Sequence, residues 1–322
     1  DREKLVFASE IKSILAFPSI PKELDRDVLP EYFKYGYTSP SDTLYKGIHK
    51  VPAGHYLQIN NNQVSLHKYW SLSYADKLTQ SEDDIIDGFY DLFKSSIDFR
   101  MRSDVPIGAF LSGGIDSSSI VHMMSQIDTE HKVNTYSIGF GDGYDQYNEL
   151  KAAKQFADHY STNHHEIIAK PDIANLLPEL IQSLDEPLAD SSLLMTYLVS
   201  KLAKESVTVV LSGVGGDELF GGYRRYLNLS LNKYFMKIPH FLRAGVANKL
   251  LSRLPEDRNN KLLNNFRLLK GYLKSCELGP CKQYESYTSI LSDELVGNIL
   301  LDGPTPKSTL FQTYYDECDS PE

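Results

Sequence analysis

Two short stretches place glycines, hydroxyls and carboxylates at spacings that could handle a phosphate chain. The first is Leu111-Ser112-Gly113-Gly114-Ile115-Asp116-Ser117-Ser118, set between the apolar run Ile107–Leu111 and a helical pattern opening near Ser117. Backbone N–H groups in such a turn converge with those of the helix N-terminus into a socket for anionic oxygens. Gly113 and Gly114 permit close backbone approach and positive φ. Ser112, Ser117 and Ser118 add hydroxyl donors, and Asp116 puts a carboxylate where a phosphate-bound Mg2+ needs one. The stretch has neither the lysine of G-x-x-x-x-G-K-[ST] nor the spacing of G-x-G-x-x-G, so it fits neither an ordinary P-loop nor a dinucleotide fingerprint. A serine-rich capped turn without a ligand is the alternative.

The second stretch repeats the design. Val207–Leu211 leads into Ser212-Gly213-Val214-Gly215-Gly216-Asp217-Glu218, again an apolar run, a glycine turn and acidic residues. At neighbouring strand ends, such a pair suits a nucleoside triphosphate with Mg2+, Asp116 and Asp217 being the protein's carboxylates. Asp217 and Glu218 could otherwise serve only as helix N-terminal charges favoured by the dipole.

Both turns need a scaffold that presents them together. From Ser81 onward the chain alternates helix and strand patterns. Ser81-Glu82-Asp83-Asp84 opens a helix whose apolar stripe runs from Ile85 to Ile97. Strands are expected at 107–111, 133–140, 165–169 and 207–211, with helices at 117–126, 148–159, 173–184 and 193–204. This grain predicts an α/β fold with a mostly parallel, doubly wound sheet, whose ligands sit at the carboxyl ends of the strands. Residues 1–75 read as β-rich, through 5–8, 55–59 and 63–66, with a hairpin turn at Asn60-Asn61-Asn62. The polar stretch 71–80 reads as a linker, and 228–300 carries helical periodicity.

Composition narrows the partners. The 322 residues are 41% hydrophobic and 24% charged with a net charge of −10, which disfavours nucleic acid and anionic membranes as partners. No apolar run is long enough to span a bilayer. The three cysteines, Cys276, Cys281 and Cys318, have no histidine at zinc-ligand spacing and read as reduced thiols of a cytoplasmic protein. His164-His165-Glu166 invites a metal reading, but adjacent strand residues face opposite ways, so a structural role is expected. Arg224 and Arg225, within a tyrosine-flanked run, are either the start of a surface helix or an anion-steering pair.

These residues carry a family resemblance. Arg102–Ser118 resembles the pyrophosphatase loop of glutamine-dependent asparagine synthetases, and the likeness continues through 136–140, 163–166, Asp185-Glu186-Pro187 and 212–223. Upstream, 7–12 and 50–57 are similar to the end of that family's glutaminase domain. The resemblance implies two regions. Residues 1–75 would be the C-terminal remnant of an N-terminal-nucleophile glutaminase, and 81–322 an ATP-pyrophosphatase synthetase domain (adenine-nucleotide alpha-hydrolase-like) cut short at its C-terminus. It also implies adenylation of the aspartate side chain by ATP, pyrophosphate release, and displacement of AMP by ammonia derived from glutamine. Leu111, Ile138 and Gly213 would hold the adenosine, and Ser112–Ser118 with Ser212 the phosphates. Asp116 and Asp217 would hold Mg2+, and Glu186 or Glu218 would assist as further carboxylates.

Several departures qualify this. The chain begins at Asp1 rather than at the family's nucleophilic cysteine, so an internal piece without glutamine hydrolysis is expected. Val214 stands where the resembling proteins place an acidic residue thought to help amide formation. Asp185-Glu186-Pro187 resembles relatives from surface-polysaccharide and secondary-metabolite settings, which opens acceptors such as a uronic acid. A catalytically inactive ATP-binding piece is the remaining reading, and a homodimer is left open.

Overall fold

The computed structural model describes residues 5–61, 63–74, 76–141, 149–169, 173–190, 192–237, 239, 272, 275–300 and 310–317. The chain forms two compact units: residues 77–220, and residues 1–76 together with 221–322. The break between Asp76 and Lys77 falls inside the expected linker.

The unit 77–220 is built on a parallel sheet of β3 (Ile107–Phe110), β4 (Asn134–Phe140), β5 (Asn163–Ala169) and β6 (Val209–Leu211), in the order β5-β4-β3-β6. The helices are α3 (Glu82–Met101), α4 (Ile115–Ile127), α5 (Leu150–His159), α6 (Ile173–Ser183), α7 (Ser192–Ala203) and the short α8 (Gly216–Phe220). Ser81 caps α3 by accepting from Asp84 N–H at 3.2 Å, with three acidic residues in the first turn to complement the helix dipole. Ile97, Ala109, Val121, Met124 and Ala157 form a core joining α3, α4 and α5 to the sheet. Tyr136, Val199, Ala203 and Val207 form a second core with α7. The sheet is thus doubly wound, as the alternating pattern predicts. Gly108 makes the β3–β4 approach possible, since a Cβ there would lie 2.7 Å from the Tyr136 ring and 2.8 Å from the Asn134 carbonyl oxygen.

Strand order fixes where a ligand belongs. The chain moves outward from β3 to β4 to β5 and then returns, placing β6 on the other edge of β3. Order reverses between β3 and β6, and the crevice at their carboxyl ends is where open α/β sheets bind ligands. The two glycine turns leave the sheet at those two ends.

The other unit holds the hairpin β1 (His55–Asn60) and β2 (Gln63–Lys68), with helices α1 (Ile11–Leu15), α2 (Leu29–Tyr35), α9 (Arg224–Phe235), α10 (Pro280–Thr288), α11 (Asp293–Ile299) and α12 (Leu310–Asp316). Asn61 has φ 48°, the left-handed geometry a tight hairpin turn asks for. Among the described residues the β-rich expectation for 1–75 is met by this hairpin and by two isolated bridges, Leu24 with Tyr45 and Asp42 with His49. Residues 5–8 form no strand: Leu5 and Phe7 are exposed and pair with no neighbouring strand, so their apolar run lacks the ladder that would make it one. Part of the helical periodicity expected over 228–300, including Phe241 and Val246, lies outside the described residues, as does Cys318.

Candidate active site

Strand β3 delivers the first turn. Leu111 N–H donates to the Tyr136 carbonyl oxygen at 2.9 Å, and Ser137 Oγ donates to the Leu111 carbonyl oxygen, so the exit of β3 is pinned to β4. The turn is braced by its own hydroxyls. Ser112 N–H donates to Ser117 Oγ at 3.0 Å, the two hydroxyls lie 2.8 Å apart, and Gly114 N–H donates to Ser112 Oγ at 3.2 Å. Gly114 starts α4 and no side chain caps it, which leaves the dipole's positive end facing the crevice. Gly113 is required by packing: a Cβ there would lie 2.6 Å from the Ala152 Cβ.

Strand β6 delivers a turn of the same construction. Val214 N–H donates to Ser212 Oγ at 3.3 Å, the counterpart of the Gly114–Ser112 bond, and Gly215 takes φ 102°. The two turns meet at Asp116. A Cβ on Gly213 would lie 2.7 Å from Ser117 N and 3.0 Å from Asp116 Cβ, and one on Gly216 would fall 2.5 Å from Asp116 Cγ. Glycine at both positions lets backbone approach backbone and carboxylate, which a turn with Cβ atoms could not do. Asp217 and Glu218 follow in the exposed first turn of α8.

A cavity of about 240 Å³ opens beside the first turn at the ends of β3 and β4. Leu111, Ser112 and Ile138 line it and Gly213 does not, with Phe110, Tyr136 and Val199 adding apolar wall. Phe140, Glu149 and Met195 also line it and are not singled out by the sequence. Only the strand–helix grain hints at them, since the helix following a strand starts near that strand's ligand end. Glu186, between α6 and α7, is half-buried and does not line this cavity.

The donor set fits a Mg2+–nucleotide. Ser118 Oγ is buried with no partner among the described residues, a donor in want of an acceptor. No group of three or more His, Cys, Asp or Glu among the described residues is arranged to hold a metal on its own. The histidine pair behaves as its strand position requires. His164 contacts Thr135 Oγ1 at 2.8 Å and Glu166 Oε1 at 3.1 Å, while His165 stacks on Tyr136 at 5.2 Å. Burial holds the His164 imidazole below its ordinary pKa, against the pull of Glu166. Cys276 and Cys281 are unbridged. No described helix is long and apolar enough to cross a membrane.

The family model described as asparagine synthase matches residues 88–290, and that of a glutamine amidotransferase domain matches residues 1–70. A Methanocaldococcus jannaschii protein provisionally named asparagine synthetase (glutamine-hydrolyzing) 2 is 35% identical over 88% of this chain and 54% of its own length. Asparagine synthetase (glutamine-hydrolyzing) 1 of Bacillus subtilis is 34% identical over 81% of this chain and 40% of its own. A Gibberella zeae protein named amidase chry2 is 30% identical over 72% of this chain and 36% of its own. The chain spans about half the length of the curated relatives it matches, or less.

Proposed function

Because the chain belongs to the asparagine synthase family, we propose that it carries the ATP-dependent half of an amidotransferase, activating a carboxylate by adenylation for displacement by ammonia. Residues 81–322 would supply the ATP-pyrophosphatase synthetase region and 1–75 the end of the glutaminase region, the nitrogen coming from glutamine. The closure of two glycine turns on Asp116 at the sheet's switch point carries the reading.

The chemistry follows from what those residues can do. A carboxylate resists ammonia because its oxygen is a poor leaving group. Attack of that oxygen on the α-phosphorus forms an acyl–AMP anhydride and breaks the α–β bond, with pyrophosphate leaving. Ammonia then adds to the acyl carbon, AMP departs with the anhydride electron pair, and a proton is lost to give the amide. The Gly113–Ser118 backbone and hydroxyls would hold the departing pyrophosphate without reorganising. Leu111 and Ile138, which line the cavity, would hold the nucleoside. Asp116 and Asp217 would hold Mg2+, which when bound offsets charge growing on the pyrophosphate. Reduced Cys276 and Cys281 suit a cytoplasmic enzyme.

Aspartate is the default acceptor of this proposal. The amidase-named relative and the Asp185-Glu186-Pro187 segment favour a second reading, the same chemistry on another carboxylate such as a sugar acid. ATP–pyrophosphate exchange with aspartate and with galacturonate tests both. Exchange dependent on either acid and abolished by Asp116→Asn is expected. ATP binding without exchange for any carboxylate tried overturns the proposal.

A further inference from the structure

In the unit formed by residues 1–76 and 221–322, Arg225 is a cation without a counter-ion among the described residues. Arg225 is the second residue of α9, and its guanidinium carbon lies 4.0 Å from the Tyr223 ring centre, 5.8 Å from Tyr226 and 5.7 Å from Tyr284. Tyr226 and Tyr284 stack with an interplanar angle of 2°, and Tyr223 meets Tyr226 edge-on at 5.8 Å. The Arg225 Nε is enclosed and has no hydrogen-bond partner, and no carboxylate pairs with Arg225 among the described residues. Tyr37 lies near enough to sense both Arg225 and Glu31. The side chain of Arg224 lies outside the described residues.

Such an arrangement is unfavourable unless something completes it. Cation–π contact with tyrosine recovers about 0.5–2 kcal/mol, less than the loss when a guanidinium leaves water unpaired. Proteins usually place a carboxylate against a half-buried arginine, and a chain with net charge −10 has many to offer. Here the surround is phenolic. With one face covered by Tyr223 and Nε enclosed, the terminal amino edge is what a ligand can meet, and two parallel N–H donors match a planar carboxylate. Burial and a hydrogen bond with Tyr226 push Tyr284 up to about 12, and burial raises Tyr37, so both phenols stay protonated and uncharged at neutral pH. A phosphate dianion would call for more positive charge than one guanidinium brings.

We infer that Arg225, with Tyr223, Tyr226 and Tyr284 around it, forms a binding site for a small carboxylate whose aliphatic body lies against the rings. The preference for a carboxylate metabolite as ligand rests on the amide-forming reading above. The site itself rests on the enclosed, unpaired guanidinium.

Calorimetric titration of the whole chain with L-aspartate, D-galacturonate and inorganic phosphate, without nucleotide and at fixed ionic strength, tests it. Saturable binding of one carboxylate is expected, whichever acid binds identifying an amino-acid or sugar-acid source, with phosphate silent at the same concentration. Arg225→Gln should weaken that binding at least tenfold and Arg225→Lys severalfold, with circular dichroism unchanged in both. Equal binding by wild type and Arg225→Gln, no binding of either acid, or phosphate binding as tight as the carboxylate's overturns the inference. No nucleotide enters the readout. Loss of exchange with carboxylate binding intact would therefore strike the adenylation reading alone.

Discussion

Gly216 presents its bare Cα to the carboxylate of Asp116, so that a methyl group there would fall 2.5 Å from Asp116 Cγ. Asp116 stands in the first turn of α4 and Gly216 opens α8, exactly one hundred residues apart in sequence. The pairing locks the two turns into one site. Gly216→Ala must therefore displace either the carboxylate or the second turn. ATP–pyrophosphate exchange should fall at least tenfold, with a stability cost of about 1–3 kcal/mol from overpacking. Gly88→Ala in α3 is the control, since a Cβ there would meet nothing within 4 Å. Equal losses in the two variants would argue against a lock at Gly216.

Ser118 gives a prediction of opposite sign for stability and binding. Its buried hydroxyl has no partner among the described residues, and such a group costs about 1–3 kcal/mol. Ser118→Ala should hold or raise the Tm of the nucleotide-free chain while reducing the Tm increase that ATP produces. Thermal melts with and without ATP check this. A lower nucleotide-free Tm would show that the hydroxyl is satisfied in solution.

Much of the site was legible because both turns are local. A glycine–serine run following an apolar run predicts a strand, a turn and a helix from neighbouring residues alone, and β3, β4, β5 and β6 lie where their apolar runs stand. The switch point followed once strand and helix patterns alternated. Contacts made by distant residues were not legible. The 213–216 run has three glycines, and nothing local distinguishes Gly213 and Gly216, which face Asp116 and Ser117, from Gly215, which serves a positive φ. Met195 reaches the cavity from α7, some 85 residues beyond Phe110. Likewise nothing in the local pattern of Tyr32–Tyr35 announces a partner on α10.

That partner supplies a stability prediction. Lys34 on α2 donates to Glu285 Oε1 at 2.8 Å and lies 2.7 Å from Asp293 Oδ1, while the Tyr35 hydroxyl donates to the same Glu285 oxygen. Lys34 is 5% exposed, so removing it takes the paired ammonium from a buried carboxylate and leaves it the Tyr35 hydroxyl. Lys34→Met should cost about 3–5 kcal/mol. Asp293 is 62% exposed, and Asp293→Asn should cost under about 1 kcal/mol. Denaturant titration of the two variants checks the order.

The same cluster sets an alkaline limit. Burial opposes the charge on Lys34, but hydrogen bonds to Asp293 and Glu285 outweigh it and raise its pKa above 10.5. Burial and then Glu285 also raise the Tyr35 phenol above 10.0. In the unfolded chain both groups lose protons near their ordinary values, so there the unfolded state binds fewer protons than the folded one. Stability is therefore full below about pH 10 and falls as pH rises through the folded values. Tm measured from pH 8 to 11 should drop at the alkaline end, and Lys34→Met/Tyr35→Phe should flatten that drop. An unchanged slope in the double variant would place the alkaline sensitivity elsewhere.

Val214 bears on the second half of the proposed reaction. It is 92% exposed at the crest of the second turn, held only through its N–H to Ser212 Oγ, and contributes no proton-exchanging group. Ammonia must lose a proton after adding to the acyl carbon, and a carboxylate on that turn would offer an acceptor. Val214→Glu should therefore raise the ammonia-dependent amide yield severalfold while leaving pyrophosphate release unchanged. Exposed substitutions of this kind shift stability by only about 0.5 kcal/mol, so folding does not confuse the readout. Amide formation followed by mass spectrometry, alongside a pyrophosphate assay, separates the two halves. If both variants form amide at one rate, the proton acceptor is already present elsewhere, and Glu186→Gln and Glu218→Gln would then show which of those carboxylates supplies it.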